Sequence, residues 1–351
     1  MTIFSSKAIY LGSKDLKKKT GVDYPKENIV ITPGSKEAML LLHVAFNGEI
    51  ILSAPSWVSY EPQAKLIGHP VIRIDTTYED KWHITPKSLQ ETLSNRQDPK
   101  KPAIMIFNSP GNPDGCSYSD EELQGIAEVC RKFNVLVIAD EIYNILSFNG
   151  KPNSLSKFYP EATIVTSGLS KWCGAGGWRL GYFIIPDELN DIKNMINVLA
   201  SETFSAVSAP IQYAAIKAYE NDHSNYISKS VNILSAVGKY VFSNLKSNKV
   251  LINEPQGGFY LMPEFLNNKF KTSSDMCSDI LNNTGVALLP GSDFGFNPDK
   301  MLARLSFTDF DGQEFMNNIE ETKKIDESLI NKFAPKVVEG VNKLKNWSES
   351  L

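Results

Sequence analysis

Along the first half of the chain, short apolar runs alternate with longer stretches whose apolar positions recur at helical spacing. The runs are Asn28-Ile29-Val30-Ile31-Thr32, Ile50-Ile51-Leu52, Val71-Ile72-Arg73-Ile74, Ile104-Met105-Ile106-Phe107, Val135-Leu136-Val137-Ile138, Thr163-Ile164-Val165-Thr166 and residues 180–185. A run this apolar and β-branched, without polar alternation, predicts a strand buried on both faces. Residues 38–46, 56–67 and 119–133 carry the helical pattern, and Ser119-Asp120-Glu121-Glu122 opens the last with an N-cap hydroxyl and first-turn acids. Strand and helix in this succession predict an α/β fold: three layers, α/β/α, around a mostly parallel sheet, with ligands gathering at the strand ends.

After Pro186 the texture changes. Residues 189–220 read as a long amphipathic helix that continues past His223 toward residue 243 and connects two domains. From residue 250 the pattern is α+β, with short strands at Gly257-Gly258-Phe259-Tyr260-Leu261-Met262, Val286-Ala287-Leu288-Leu289 and Ala303-Arg304-Leu305-Ser306-Phe307. Residues 323–351 form a charged helical end that Pro335 interrupts. The expected division is a large domain over residues 26–215, a smaller α+β C-terminal domain over 216–351, and an N-terminal stretch, 1–25, helical around residues 14–19 and packed with the smaller domain.

Composition narrows the function. The chain has 351 residues, 42% hydrophobic and 22% charged, which suits a soluble protein of two domains. A net charge of −4 lacks the basic footprint of a nucleic-acid binder. No apolar run approaches the ~20 residues of a membrane helix, and the first residues lack the apolar core of a signal peptide. Cys116, Cys130, Cys173 and Cys277 lie scattered, and the four histidines are far apart. Free thiols in a reducing compartment, no metal site and a cytoplasmic location are the expectation.

Chemistry-bearing residues fall at the strand ends. Ser167-Gly168-Leu169-Ser170-Lys171 follows one strand, and glycine-rich chain leads from there to Arg179, eight positions after the lysine. A lysine there can form a Schiff base, and an arginine can clamp a phosphate as a fork. Pro33-Gly34-Ser35-Lys36 opens a helix, which is either simple capping by Ser35 or an anion cradle. Trp57 follows Pro55 as a core residue or a stacking platform. Asn108-Ser109-Pro110-Gly111-Asn112-Pro113-Asp114-Gly115 is, by itself, a turn. Asp140, three residues before Tyr143, closes an apolar strand, where an acid needs a cation or an N-cap role. Arg304, inside an apolar strand, needs an anion: a structural salt bridge or a ligand carboxylate.

Taken in order, these segments resemble the pyridoxal-phosphate-dependent aminotransferases of fold type I, class I/II, the aspartate aminotransferase-like group. The resemblance runs from about Asp15 to about Asn317. It implies that Lys171 carries pyridoxal 5′-phosphate as an internal aldimine and shuttles the proton between Cα and the cofactor. By the same resemblance Asp140 pairs with the pyridine nitrogen, Asn112 and Tyr143 share the phenolic oxygen, and Trp57 lies on the ring. Gly34, Ser35, Lys36, Ser170 and Arg179 surround the phosphate, with Ser167 a further hydroxyl, while Arg304, with Asn112, takes the substrate carboxylate. Gly257 to Tyr260 and Leu289 to Ser292 resemble scaffold segments. The implied activity is ping-pong transfer of an amino group between an L-amino acid and a 2-oxo acid. A lyase on the same scaffold (a C–S lyase or an aminocyclopropane-carboxylate-synthase-like enzyme) and an inactive, N-terminally shortened relative are the alternatives. The sequence departs from the family pattern at Gly168, where many relatives carry a phosphate-binding Ser. It also departs before the matched region, where relatives carry a further N-terminal segment and a tyrosine for which Tyr10 and Tyr24 lack the context. A homodimer is implied, with Thr203-Phe204-Ser205 facing the partner's phosphate.

Overall fold

The computed structural model describes residues 24–150, 153–267, 269–320 and 324–351. The helix expected near residues 14–19, and with it nearly all of the expected 1–25 segment, lies outside the described residues. Strand β1 (Ile29–Thr32) leads to helix α1 (Ser35–Ala45), β2 (Glu49–Ala54) to α2 (Tyr60–Ile67), β3 (Val71–Asp75) to α3 (Pro86–Ser94), and β4 (Ala103–Asn108) to α4 (Asp120–Lys132). Strands β5 (Leu136–Asp140), β6 (Thr163–Gly168) and β7 (Gly181–Ile184) complete a seven-stranded sheet of order β1-β7-β6-β5-β4-β2-β3. Strands β2 to β6 are parallel; β7 runs against both of its neighbours.

The unbroken apolar runs have a direct cause in this layering. Successive side chains of a strand leave on opposite faces. Ile50, Leu52, Ile104, Ile106 and Ile138 enter one hydrophobic cluster with Met39 and Leu42 of α1. Ile51, Met105, Phe107 and Val137 enter another with Leu89 of α3 and Leu123 and Ile126 of α4. Each such fully buried side chain contributes about 1.5–3 kcal/mol. Helix α4 starts where its acids and hydroxyl indicate: Ser119 Oγ accepts from the Glu122 N–H, and Glu122 Oε2 accepts from the Ser119 N–H. Helix α3 is not among the sequence expectations, although Thr85 and Ser88 form a capping box around Pro86.

Two expectations need correction. Helix α2 begins at Tyr60, not at residue 56, because residues 56–59 make the turn that carries Trp57. The single helix expected over residues 189–243 is three: α5 (Asn190–Thr203), α6 (Ala209–Glu220) and α7 (Ser224–Leu245). The first break has Ser205 at a left-handed φ of 57° and Pro210 in the first turn of α6, where its missing N–H matters least. Asn221, extended at φ −82°, makes the second.

The C-terminal part comprises β8 (Val250–Leu251), β9 (Tyr260–Leu261), β10 (Glu264–Phe265), α8 (Ser273–Thr284), β11 (Leu289–Pro290), β12 (Ala303–Ser306), α9 (Gly312–Asn317), α10 (Glu327–Phe333) and α11 (Pro335–Glu349). Of the run expected at residues 286–289, only Leu289 pairs; the 257–262 run shortens to two residues, following Gly258 at φ 65°. Pro335 does separate the last two helices. Val237 and Val241 of α7 join Phe265, Ile280, Phe307, Phe315 and Trp347 in one core. Further up the same helix, Ile227 and Val231 pack on the cluster around Trp172 and Leu180. Among the described residues no helix is long and apolar enough to cross a membrane.

Candidate active site

Six connections meet at one edge of the sheet. Strands β1, β2, β4, β5 and β6 end there, and β7, running in reverse, begins there, so Arg179 just before β7 arrives on the same side as Lys171 just after β6. The edge and β12 line a cavity of about 620 Å³. Ser35, Lys36, Trp57, Asn112, Asp140, Tyr143, Ser170, Lys171, Arg179 and Arg304 all border it. The sequence expectation places these residues in one site, and the fold brings them to one cavity.

Asp140 is 3% exposed. Tyr60 Oη donates to its Oδ2 at 2.8 Å, and the Ile142 N–H donates to Oδ1 at 3.2 Å. These partners are neutral, where the sequence pattern leads one to expect a cation. Burial therefore pushes the carboxyl up to about 6, with the two hydrogen bonds and the charge of Lys171 opposing it. Lys171 is partly buried, its Nζ 5.6 Å from the ring centres of both Tyr143 and Phe259. Burial lowers its proton affinity; Asp140 works against that shift, and Arg304 and Arg179 reinforce it. Tyr143 packs edge-on against Phe259 and Tyr260, and burial holds its phenol protonated.

Asn112 is fixed from two sides. Its N–H donates to Asn108 Oδ1 at 2.8 Å, and Asn108 Nδ2 donates to the Asp140 carbonyl at 2.8 Å. Arg304 Nη1 donates to Asn112 Oδ1 at 3.0 Å. Arg304 is half-buried rather than buried, because β12 alternates and this position faces the cavity. Its guanidinium lies 4.4 Å from the Tyr260 ring centre and 5.0 Å from that of Phe294. Trp57 meets Tyr60 edge-on at 5.3 Å, with Lys36 Nζ 5.0 Å from its indole centre.

Gly34 does not border the cavity but shapes it. It is the N-cap of α1, so Ser35 is the first helical residue rather than the cap, and no side chain closes the helix start. Gly34 has φ 92°, and a Cβ built on it would stand 2.8 Å from Arg179 Cζ. Arg179 donates to the carbonyls of Gly176 (2.7 Å) and Pro33 (3.2 Å). Ser167 turns away, donating to the Glu141 carbonyl at 3.3 Å. Thr203 to Ser205 end α5, where Phe204 and Ser205 border a separate groove of about 380 Å³. Tyr60 and Tyr260 line the cavity unforeseen by the sequence reading. Nothing in their local pattern distinguishes them from core aromatics.

Parallel sheet, single reversed strand and lysine-bearing edge together define the fold of the type I aminotransferases. The model of aminotransferase class I and II matches residues 8–318, and the chain belongs to that family. Among curated relatives, the aspartate aminotransferase of Bacillus sp. (strain YM-2) is 32% identical over 291 residues, 80% of this chain and 72% of that protein. The aspartate aminotransferase of Bacillus subtilis (strain 168) is 30% identical over 311 residues, 84% and 75% of the two chains. Among solved structures, the aromatic aminotransferase from Pyrococcus horikoshii OT3 has the same fold at TM-score 0.83 and 24% identity, over 98% of this chain and 86% of that one.

Proposed function

We propose that the protein is a pyridoxal 5′-phosphate-dependent aminotransferase acting by two ping-pong half-reactions on an L-amino acid and a 2-oxo acid. The observation that carries this reading is one cavity bordered by a lysine of lowered proton affinity, a buried acid with neutral partners and two guanidiniums. The residues fit the cofactor. The side-chain space absent at Gly34 is filled by the Arg179 guanidinium beside an uncapped helix start, a seat for a phosphate. Asp140, destabilised as an anion by burial, gains what it lacks from a protonated pyridine nitrogen.

In this reading Lys171 holds the cofactor covalently through Nζ, and Ser35, Lys36, Ser170 and Arg179 surround its phosphate. Asn112 Nδ2 and the Tyr143 hydroxyl would donate to its phenolic oxygen, and Trp57 would pack on its ring. When bound, the group supplies an electron sink for the carbon deprotonated in the reaction. Displaced from the cofactor by the substrate's own amino group, the freed Lys171 amine would carry the proton from Cα, which its lowered affinity favours. Arg304, already oriented by Tyr260 and Asn112, receives the α-carboxylate and aligns the Cα–H bond.

Aspartate is the proposed donor: several relatives bear that name. A homodimer belongs to the proposal, supported by Val198 (62% exposed) and Tyr213 (57% exposed) on α5 and α6. So do a division of the chain near residue 215 and a cytoplasmic setting, the latter supported by four free cysteines. The test is a visible absorption spectrum of the loaded protein beside Lys171→Ala. A lysine-dependent band, bleached by aspartate and restored by a 2-oxo acid, is expected. Bleaching without restoration, with release of a fragment of the substrate, means a lyase instead. No lysine-dependent band overturns the cofactor assignment.

A further inference from the structure

Under the loop that carries Asn112 lies a second cavity of about 20 Å³. That is room for a single water molecule. Trp82 Nε1 and His83 Nε2 are buried there without a hydrogen-bond partner, on residues 6% and 3% exposed. Asp114 also lines it, two residues after Asn112. A buried polar group left unpaired costs about 1–3 kcal/mol. Two of them on one polar void call for a shared partner.

The tautomer of His83 follows from its other contacts. Nδ1 lies 3.0 Å from Glu122 Oε1, and the ring stacks on Tyr118 with centres 3.9 Å apart. The contact with His83 holds the Glu122 carboxyl at about 2, so it accepts and Nδ1 donates. With one proton on the ring, at Nδ1, Nε2 is an acceptor, whereas Trp82 Nε1 can only donate. Asp114 Oδ1 accepts the Cys116 N–H at 2.7 Å. Burial pushes the Asp114 carboxyl up to about 6, against the pull of that N–H.

We propose that His83 is a positioning residue for Asn112: with Trp82 and Asp114 it holds one buried water that pins the loop from beneath. The water accepts from the indole and donates to His83 Nε2 and to the Asp114 carboxylate. Above, the same loop is tied to β4 through Asn108 and to β12 through Arg304; within, the Gly111 N–H meets the Cys116 carbonyl at 2.9 Å. His83, on the connection between β3 and α3, thereby sets where the Asn112 amide points without itself touching cofactor or substrate. The functional consequence rests on the cofactor reading above.

The first test needs no cofactor. A crystal structure of the unloaded protein should show a water within hydrogen-bond distance of Trp82 Nε1, His83 Nε2 and Asp114; a dry cavity overturns the proposal. The second uses the loaded protein and the pH midpoint of its lysine-dependent visible band. His83→Phe, which keeps the ring on Tyr118, should move that midpoint by about half a unit, roughly threefold in proton affinity, in the direction of Asn112→Ala. Trp82→Phe removes a single N–H and should shift the midpoint the same way by a smaller amount, serving also if His83→Phe does not fold. The double variant His83→Phe/Asn112→Ala should move no further than Asn112→Ala. An unmoved midpoint in the single variants, or simple additivity in the double, overturns the proposal. Absence of the band in the unaltered protein overturns the cofactor reading instead, and the crystal structure then decides for or against the water on its own.

Discussion

Gly34→Ala tests the phosphate seat with one methyl group. At φ 92° and ψ 156° the position lies in backbone space that L-residues almost never occupy, so alanine there strains the fold by about 1–3 kcal/mol whether or not cofactor is bound. The second effect is specific to binding. The new Cβ would come within 2.8 Å of Arg179 Cζ and closer to its Nη2, so the guanidinium must leave. A hydrogen bond to a charged group contributes about 1.5–3 kcal/mol, so losing one phosphate contact weakens cofactor affinity roughly 10- to 150-fold. The assay is a cofactor titration followed by absorbance, with thermal unfolding of loaded and unloaded protein in parallel. The unloaded variant should melt earlier, and the loaded one should lose more than that difference. Arg179→Ala should weaken binding comparably, and adding Gly34→Ala to it should leave affinity unchanged. Affinity within threefold of the unaltered protein in Gly34→Ala would refute the reasoning.

Three other outcomes follow from the same physics. Asp140 has a folded-state value of about 6, above that of an unfolded aspartate, so the unloaded protein loses stability as pH rises from about 4 through 6. Asp140→Asn should make the unloaded protein up to roughly 3 kcal/mol more stable at pH 7.5 and no different at pH 4, measured by denaturant unfolding, while abolishing most turnover. Burial, with His69 nearby, holds buried His43 at about 4; folding then excludes a proton that the unfolded chain binds, so stability falls as pH drops from about 6.5 to 4, and His43→Leu should flatten that slope in melting curves. Arg304→Ala should leave the visible band of the loaded protein intact yet raise the amino-acid concentration needed to bleach it at least 100-fold; loss of the band in that variant would contradict its assignment to the substrate.

What the sequence made legible, and what it withheld, divides along the range of the interactions. The central sheet strands were readable because each is buried on both faces, so its run is apolar, and the strand-end residues were readable because the parallel architecture gathers its ligands there. The Ser119 cap was visible because it is made within four residues. The breaks near Ser205 and Asn221 were hidden because a 3.6-residue apolar period continues across both. Tyr60 looked like core until β5 brought Asp140 to its hydroxyl, eighty residues away in sequence. Arg304 looked buried because its neighbours are apolar, but β12 presents one face to an open cavity. His83 and Asp114 showed no shared signal, since they meet only once the connections after β3 and β4 are packed together.

The reversal of β7 also bears on how this family can change. Because β6 and β7 form an antiparallel pair, with Gly168 opposite Gly181, Lys171 and Arg179 stand on one short connection instead of on two strands joined by a crossover helix. An insertion or deletion there would displace Lys171 and Arg179 together, the two residues proposed to hold opposite ends of the cofactor. The exposed connection between α3 and β4 can lengthen on the surface without moving a reacting atom. Engineering of this scaffold should therefore graft insertions between α3 and β4 and leave the residue count of the β6–β7 connection untouched.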